Sequence, residues 1–508
     1  MLTDSEWKEF YNGLDEMENI YDLLVLLYMQ IDGKNKPCYI KEYYKSLERI
    51  SEGYWGDLPL IINELLMGGI SFEFFIKEFR KCVNMENLRN VAIRMLFSFD
   101  RYFQDRQKYS GLELSSESCL GKVYNFGPFN KAKSEYDLYL MPDYHYFKDF
   151  NKKNQKGIRF LPQSQFNAID KNITHYKIIK KDRLNKQIKI KYYDKTFEKM
   201  NKCSELKIGI VPVSKILWSK VIYQELGNGE RNYFQLENIK KHSRNINEAY
   251  IRILKRCMEE KIQIVIFPEL ARNEETEKTI KEFLSQETIR NPNSLKLVFM
   301  GSLWKNGTNE GILFSGTGII LMKSRKIEPF SLKHQNKLYW EDLREEEQEI
   351  QLLDMPGLGR IQYLVCKDAL HDGFQHDMWG LFEIALSFIS SYSNSISYFK
   401  QLGSSFASQY AGIYVLSNAC AARIGIKHAN REKELGIPQT EIGHITAPCS
   451  KDDKGTATSK EAAYCEMEHC WLGCRFGGCI RVFKINLSQM HKGAGALDDY
   501  IETDCIIL

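Results

Sequence analysis

Ile361-Gln362-Tyr363-Leu364-Val365-Cys366 is a short apolar run that stops at a thiol, and Ile264-Val265-Ile266-Phe267-Pro268-Glu269 stops at a carboxylate in the same way. Both runs are rich in Val and Ile and are too short for core helices, which predicts buried parallel strands. The carboxyl ends of such strands form the rim at which open α/β sheets bind ligands. We therefore expect Glu269 and Cys366 to face one crevice.

The chemistry of a nucleophilic thiol explains why a base and a cation matter beside Cys366. A free Cys has a pKa of about 8.5 and is mostly protonated at neutral pH, so it needs such a neighbour. Glu269 is the candidate base, and Lys333, which lies between the two strands, is the candidate cation. The backbone N–H of Lys367 is the candidate second donor to the negative charge that develops on an attacked carbonyl or nitrile.

Several stretches in a fixed order resemble the nitrilase superfamily of carbon-nitrogen hydrolases. They are Phe267-Pro268-Glu269, Val298-Phe299-Met300-Gly301-Ser302, Cys366-Lys367-Asp368 and Ala407-Ser408-Gln409-Tyr410-Ala411-Gly412-Ile413-Tyr414-Val415-Leu416-Ser417-Asn418. The resemblance covers roughly residues 204–490. It implies an α/β fold in the form of an α-β-β-α sandwich of four layers that often dimerises through its helices, so a homo-oligomer is expected. It also implies a catalytic triad of Glu269, Lys333 and Cys366.

The sequence departs from this family next to the nucleophile. The family usually carries a Tyr, a Trp or another compact residue where this chain has the cationic Lys367, which bears on the substrate rather than on the triad. Lys337 competes with Lys333 for the lysine role, but Lys333 keeps the better spacing to Cys366.

Acidic residues near the triad are candidates for a supporting role. A second glutamate commonly supports the site in this family, and Glu341, Glu345 and Glu346 are candidates that the sequence does not separate. Asp368 is a further supporting candidate.

Composition limits the classes of function. The chain has 508 residues, 43% of them hydrophobic and 27% charged, with a formal net charge of +4, which makes no overall case for nucleic acid. The acidic start is unlike a secretory signal, and the longest early apolar stretch, residues 21–31, is too short to cross a bilayer. We expect a cytoplasmic protein without a membrane contact and without a cofactor.

Cysteines near the C-terminus leave a metal site as an alternative. Thirteen scattered cysteines favour reduced thiols in a reducing compartment. Cys465, Cys470, Cys474 and Cys479 are soft ligands within fifteen residues, with His444 and His469 nearby, but they lack the paired C-x2-C spacing of zinc sites. The competing interpretation is that these thiols pack in the last hairpin.

The first two hundred residues form two predicted regions. Residues 1–110 have helical patterning, with a capping arrangement at Thr3 and Glu6, and indicate a bundle that binds a protein partner or regulates. Residues 111–203 are basic, with interleaved tyrosines. Such a pattern suits single-stranded nucleic acid, but Gln187-Ile188-Lys189-Ile190-Lys191-Tyr192 alternates and favours a charged edge strand instead.

The remaining chain divides into the α/β domain and a tail. From Leu206 onward strands alternate with helices, which predicts a layered α/β domain over 204–490. Its predicted elements include a helix over roughly residues 236–258 and a strand over residues 311–322 that Gly316-Thr317-Gly318 interrupts. Residues 491–508 are the tail, and its last four, Cys505-Ile506-Ile507-Leu508, match a prenylation box without the basic residues that usually help an anchor. The alternative is an apolar tail that packs on the body or on a partner.

Two functions from different classes follow. The first is a hydrolase, or acyl transferase, that acts on a small amide or nitrile through a Cys366 thioester. The second keeps the fold as a sensing or scaffold module with little hydrolysis, because a nitrilase-like domain appended to an unrelated N-terminal region is similar to components of bacterial antiviral defence systems.

Overall fold

A computed structural model describes most of the chain's regular elements. The described residues are 3–31, 64–65, 69–105, 121–125, 127–141, 173, 175–183, 186–194, 205–212, 221–225, 231–236, 243–290, 295–343, 349–393, 395–410, 412–419, 441–449, 456–464, 479–486 and 501–507.

The chain forms two compact units. The first contains residues 1–118, 125–143 and 158–190, and the second contains residues 119–124, 144–157 and 191–508. The domain boundaries predicted at 110, 203 and 490 stay predictions.

Among the described residues, the first unit contains four α-helices and a strand pair. Its elements are α1 (Asp4–Gly13), α2 (Ile20–Met29), α3 (Phe72–Cys82), α4 (Leu88–Asp105), β2 (Tyr136–Leu140) and β3 (Tyr176–Lys180). The Thr3 side chain accepts a hydrogen bond from the Glu6 N–H while Glu6 accepts from the Thr3 N–H, so the predicted capping box is present. Buried Asp22 in α2 accepts the N–H groups of Lys131 and Ala132 at 2.6 and 2.9 Å, which fixes that loop against the helix.

In the part of the chain that the structure describes, the second unit supplies the remaining strands and four α-helices. Two strands span both units, β1 (Val123–Asn125) and β4 (Gln187–Tyr193). The others are β5 (Glu205–Ile210), β6 (Val221–Gln224), β7 (Asn232–Leu236), α5 (Ser243–Glu259), β8 (Ile264–Ile266), α6 (Thr276–Arg290), β9 (Leu297–Lys305), β10 (Thr308–Ser315), β11 (Ile320–Arg325), β12 (Ser331–His334), β13 (Lys337–Glu341), β14 (Glu349–Met355), β15 (Gly359–Val365), α7 (Asp372–Phe382), β16 (Leu386–Ser391), α8 (Ser397–Tyr410), β17 (Ile413–Asn418), β18 (Glu441–Cys449), β19 (Thr456–Tyr464), β20 (Cys479–Asn486) and β21 (Ile501–Ile507).

Two large sheets carry the unit. One has the order β11-β10-β9-β8-β5-β20-β21, with β5, β8 and β9 parallel. The other runs β14-β15-β16-β17-β18-β19, with β15, β16 and β17 parallel, and residues 123–124 and 191–193 extend its edge. A small sheet of order β12-β13-β7-β6 is built from the connections.

Alternation of side chains along the strands produces four layers. Ile264 and Ile266 of β8 pack in a core shared with Ile361 and Phe388 of the other sheet, whereas the intervening Val265 belongs to a second core. That second core is completed by the helices, since Ile246, Tyr250, Ile253, Leu254 and Cys257 fall on one face of α5.

Helices α7 and α8 cover the outer face of the other sheet. The Trp379 indole N–H in α7 donates to Gln362 of β15 at 3.0 Å, and Phe406 of α8 contacts the Trp379 ring. The order is therefore helices, sheet, sheet, helices, which confirms the predicted α-β-β-α sandwich.

Some elements differ from the sequence predictions. The helix expected from Leu236 begins at Ser243, because Leu236 ends strand β7 of the small sheet. The stretch 311–322, expected as one interrupted strand, is the hairpin of β10 and β11, and Gly316 turns it where an added Cβ would lie 1.9 Å from the Leu295 carbonyl oxygen. The C-terminal segment is strand β21, paired antiparallel with β20, with Cys505 opposite Arg481.

Several predictions fall on residues outside the described ones. These are most of the helix over 58–67, the thiols Cys465, Cys470 and Cys474, and the acidic residues Glu345 and Glu346. Cys479 is described and is buried in β20. Among the helices that the structure describes, none combines the length and apolar character needed to cross a membrane.

Candidate functional site

Three strand ends bring a carboxylate, an ammonium and a thiol together. Glu269 follows β8, Lys326 follows β11 and Cys366 follows β15. The Lys326 Nζ lies 2.8 Å from the Glu269 Oε1, and the Cys366 thiol hydrogen bonds with the Glu269 carboxylate. All three residues are at most 7% exposed, so this polar group is enclosed by protein.

Glu341 and Asn309 complete the array. Glu341, the last residue of β13, accepts from the Lys326 Nζ at 2.7 Å. The Asn309 amide nitrogen donates to both carboxylates, at 2.9 Å to Glu269 and 3.1 Å to Glu341. Two buried carboxylates thus share one ammonium and one amide, which offsets part of the large cost of burying their charge.

Cys366 has a backbone conformation that is uncommon for its residue type. Its φ is +49°, in the left-handed region, at the point where strand β15 turns into the 3₁₀ turn Cys366–Leu370. Leu270, directly after Glu269, also has a left-handed φ of +58°. Strained backbone of this kind persists only when its surroundings hold it, and it clusters at functional sites.

Neighbours of Cys366 include donors from the adjacent strand. The Ser391 hydroxyl donates to the Cys366 Sγ at 3.7 Å, and the backbone N–H of Tyr392 also hydrogen bonds with it. The Asn418 side chain braces this segment, because it accepts from the Ser393 N–H and donates to the Ser393 carbonyl. Asn418, the last residue of the stretch 407–418 that resembles the family, therefore holds the backbone beside the thiol.

Electrostatics keep the resting thiol protonated. Burial, reinforced by the negative charge of Glu269, raises the pKa of Cys366 to about 12, although Lys326 opposes this rise. Burial also raises the pKa of Glu269, against the opposing charge of Lys326. Burial alone would lower the pKa of Lys326, but the two carboxylates raise it well above its usual value, so the ammonium stays charged.

Apolar residues directly after the polar ones form a wall beside the site. Leu270 follows Glu269, Tyr392 follows Ser391 and Ala419 follows Asn418, and these pack with Trp304 in one buried cluster. Leu236 and Leu343 pack against the same cluster from the small sheet and its exit. Burial is the first cause of the raised pKa of the thiol.

Hydrogen bonds between the two sheets set the distance between their reactive groups. Tyr363 of β15 shares a hydrogen bond with the Ser390 hydroxyl at 2.9 Å, and Ser390 donates to the Phe267 carbonyl at 2.6 Å. Phe267 lies two residues before Glu269 and Tyr363 three before Cys366. This chain of bonds joins the strand of the acid to the strand of the thiol.

The structure does not bring Lys333 to this site, which corrects the sequence prediction. Lys333 lies in β12, opposite Leu338, and is exposed, and the competitor Lys337 is an exposed partner of Glu225. The lysine in contact with Glu269 is Lys326, 40 residues before Cys366, because the β12–β13 hairpin follows it. Lys326 stands directly after strand β11, whose last residues, Lys323-Ser324-Arg325, are polar, so no apolar run before it marked it in the sequence.

The other predicted site residues have definite positions. Of the candidate glutamates, the structure places Glu341 at the site, and Glu345 is outside the described residues. Asp368 is buried and contacts the segment after Lys326, and the Lys367 ammonium donates to the Pro329 carbonyl. No cluster of three metal-binding side chains occurs among the described residues.

Comparisons with known proteins were made on sequence and on structure. Neither models of protein families nor curated protein sequences gave a match. Among solved structures, a carbon-nitrogen hydrolase from Helicobacter pylori G27 is 10% identical with a TM-score of 0.34, over 57% of this chain and 92% of that one. An amidase from Nesterenkonia sp. is 11% identical with a TM-score of 0.29, over 42% of this chain and 76% of that one.

A third solved structure gives a similar result. The NitFhit protein of C. elegans is 14% identical with a TM-score of 0.33, over 57% of this chain and 62% of that one. Solved structures of nitrilase-superfamily carbon-nitrogen hydrolases are thus among those that this chain resembles, as its sequence predicts.

Proposed function

We propose that this chain is a carbon-nitrogen hydrolase that cleaves a small amide-like substrate through Cys366. The observation that carries the proposal is the enclosed array in which Glu269 contacts both the Cys366 thiol and the Lys326 ammonium. An acid, a cation and a nucleophile with perturbed pKa values in one enclosed place are what covalent acyl transfer needs.

Glu269 acts as the base toward the thiol. Because the thiol has a pKa of about 12, it is not a preformed thiolate, and its proton must leave as sulfur attacks the carbonyl carbon. The Glu269 carboxylate, already hydrogen bonded to the thiol, receives that proton. The same carboxyl then returns it to the departing amine, which leaves a Cys366 thioester.

Lys326 stabilises the charge that develops on the carbonyl oxygen. Its ammonium stays protonated because Glu269 and Glu341 flank it, so it is a fixed positive charge and not a proton donor. The backbone N–H of Lys367 is the proposed second donor, at the start of the turn after the nucleophile. In the second half of the reaction Glu269 takes a proton from water as the water attacks the thioester. The C–S bond then breaks to release the acid, and Glu269 returns the proton to the Cys366 sulfur.

The apolar wall favours a small, uncharged acyl group. Leu270, Trp304 and Tyr392 surround the region next to the thiol, where a charged group would lose its hydration. Aliphatic and aromatic primary amides are therefore the first substrates to test, followed by nitriles.

The test is ammonia release by the full chain from a panel of such amides, together with intact mass measurement of the acyl-enzyme. We expect turnover in the wild type, none with Cys366→Ala, and an accumulated thioester when a poor leaving group slows the reaction. Wild-type protein that is folded but forms no adduct and releases no ammonia across the panel would contradict hydrolysis and favour a sensing or scaffold role.

A further inference from the structure

The Asp368 carboxylate binds the backbone directly after Lys326. It accepts the Ile327 N–H at 3.0 and 3.1 Å through its two oxygens, and the Glu328 N–H at 2.7 Å. Asp368 is 6% exposed, so these bonds are made out of contact with bulk water. Charge-assisted bonds of this kind are short and about twice as strong as neutral ones.

Asp368 is itself held in place from the other side. Its backbone carbonyl accepts a hydrogen bond from the Gln375 side chain at 2.9 Å, and Gln375 accepts one from Gln362 of β15 at 3.0 Å. Gln362 also accepts from the Trp379 indole. The position of the carboxylate is thus fixed by strand β15, which carries the nucleophile, and by helix α7.

The lysine segment is fixed at both ends as a result. The Lys326 N–H donates to the Asn309 carbonyl at 2.8 Å, which ties the start of the segment to β10. Asp368 ties the next two residues, and the Lys367 ammonium donates to the Pro329 carbonyl at 2.8 Å further on. The hydrogen bonds that hold this segment to the turn after the nucleophile are therefore made by Lys367 and Asp368, the two residues that directly follow Cys366.

We propose that Asp368 is a positioning residue that sets the Lys326 ammonium at its distance from the Cys366 sulfur. The proposal rests on the function proposed above for this site and assigns Asp368 no contact with the reacting atoms. It links the turn that bears the nucleophile to the loop that bears the cation, so that the two move as one piece.

The cost of this arrangement supports a role beyond packing. Burial raises the pKa of Asp368 to about 7, although the two N–H donors and Lys326 oppose that rise. A desolvated carboxylate is an expensive way to hold a loop, and an apolar residue of similar volume often stabilises a fold more. The carboxylate is explained if its N–H bonds must place the neighbouring lysine.

The test uses the rate at which iodoacetamide alkylates Cys366 in the folded full chain, followed by mass spectrometry across pH. Lys326 lowers the pKa of Cys366, so displacing the ammonium should slow alkylation at a fixed pH. We expect Asp368→Ala to slow it at least tenfold at pH 8 and Asp368→Asn, which keeps one acceptor oxygen, to have an intermediate rate. Removing a negative charge without moving Lys326 would instead speed alkylation, so the sign of the change is decisive.

The matched control is Asp354→Asn, which also removes a buried carboxylate. Asp354 is the bidentate partner of Arg360, and Arg360 lies at the end of β15 that is remote from Cys366. This variant should destabilise the fold while leaving alkylation within twofold of the wild type. In a Lys326→Met background, Asp368→Ala should have no further effect, since the two residues act in series.

Unchanged or faster alkylation in folded Asp368→Asn overturns the proposal, and this conservative variant serves if Asp368→Ala does not fold. Alkylation does not require turnover, so the two proposals separate. If the wild type shows no amidase activity but Asp368 variants still change the alkylation rate of Cys366, the positioning role stands. If the wild type is an active amidase but the alkylation rate does not respond to Asp368 variants, the positioning role is overturned.

Discussion

Burial separates Lys326, which lies at the site, from Lys333, which the spacing to Cys366 favoured. Lys326 is 7% exposed and bonded to two carboxylates, whereas Lys333 lies exposed in the β12–β13 hairpin. The first can stabilise an oxyanion in a water-poor site, where a fixed charge has the most effect.

Lys326→Ala is expected to lower kcat/KM for the best amide by about 10²–10³-fold, the usual size of a lost oxyanion donor. Lys333→Ala is the matched control and should stay within twofold. Circular dichroism should accompany both assays, because removing Lys326 leaves Glu269 and Glu341 unpaired and lowers stability. Equal losses in the two variants would reject Lys326 as the catalytic cation.

Glu269→Gln separates two effects of this carboxylate: its negative charge raises the pKa of the thiol, and in the proposed reaction it accepts the thiol proton. Its negative charge raises the pKa of Cys366, so the neutral amide should lower that pKa and speed alkylation by iodoacetamide at pH 8. Amide turnover should fall by about 10²–10⁴-fold, because the base is gone. If alkylation and turnover fall together, Glu269 acts by holding the thiol and not as its base.

Lys326 also shows how far residue types could be read from the sequence. The rule that reactive groups follow apolar strands predicted Glu269 and Cys366, but it does not reach Lys326, because β11 ends in the polar residues Lys323-Ser324-Arg325. Spacing to Cys366 favoured Lys333 instead. Spacing fails here because the hairpin, a feature of this chain, lies between the lysine and the nucleophile.

At the scale of elements, the strand ends depend on close backbone contacts. Gly301 in β9 has a φ of +72°, and a Cβ added there would lie 2.1 Å from the carbonyl oxygen of Pro268, the residue before Glu269. Only glycine fits such a position without moving the acid-bearing loop.

Gly301→Ala should therefore destabilise the protein by about 2 kcal/mol or more and reduce activity, since strain and displacement add. Gly380→Ala is the control: it lies in helix α7, where the added Cβ meets Tyr410 at an ordinary 3.4 Å. That change should be neutral or stabilise slightly, by up to about 1 kcal/mol. Urea unfolding of both variants measures the difference, and equal effects would mean that the contact at Pro268 is relieved without cost.

The bond chain between the sheets gives a second expectation at this scale. Ser390→Ala leaves the buried Phe267 carbonyl without its donor and should cost about 1–3 kcal/mol. Tyr363→Phe removes the neighbouring bond. The double variant should be less harmful than the sum of the two, and strict additivity in urea unfolding would show that the bonds are independent.

Elements were easier to predict than their boundaries. The short apolar runs predicted β8 and β15, since buried parallel strands need little else to be recognised. Strand β7 was missed because Asn232–Leu236 lacks such a run and pairs only within the small sheet, which is made of connections. Tertiary pairing, and not local preference, makes that segment a strand.

At the scale of the whole molecule, titration of one buried carboxyl should influence stability. The unfolded pKa of Asp is about 3.9, whereas burial raises that of Asp368 to about 7. Between these values the folded state keeps a proton that the unfolded state has released, so the unfolding free energy falls as pH rises and levels off above 7.

The difference in unfolding free energy between wild type and Asp368→Asn isolates this group. The unfolding free energy of the wild type minus that of Asp368→Asn should fall by about 3 kcal/mol from pH 5 to pH 8, because only the wild type loses stability over this range. Urea unfolding at four pH values measures it. A difference that is flat with pH would mean that Asp368 is ionised in both states.

The layered architecture was predictable because alternating strands and helices leave few other arrangements. The two compact units were not, since segments distant in sequence, such as 119–124 and 191–508, join in one of them. Composition describes residues that are neighbours along the chain, and it does not show which segments distant in sequence pack together.

The stacked rings of Phe299 and Phe388, 4.1 Å apart, lie between the sheet of the acid and the sheet of the sulfur. In the proposed reaction, a larger ring or a lost methyl group in this core would change the distance between the acid and the sulfur, and so the distance that a proton must travel. These apolar core positions should therefore tolerate substitution as poorly as the polar residues of the site.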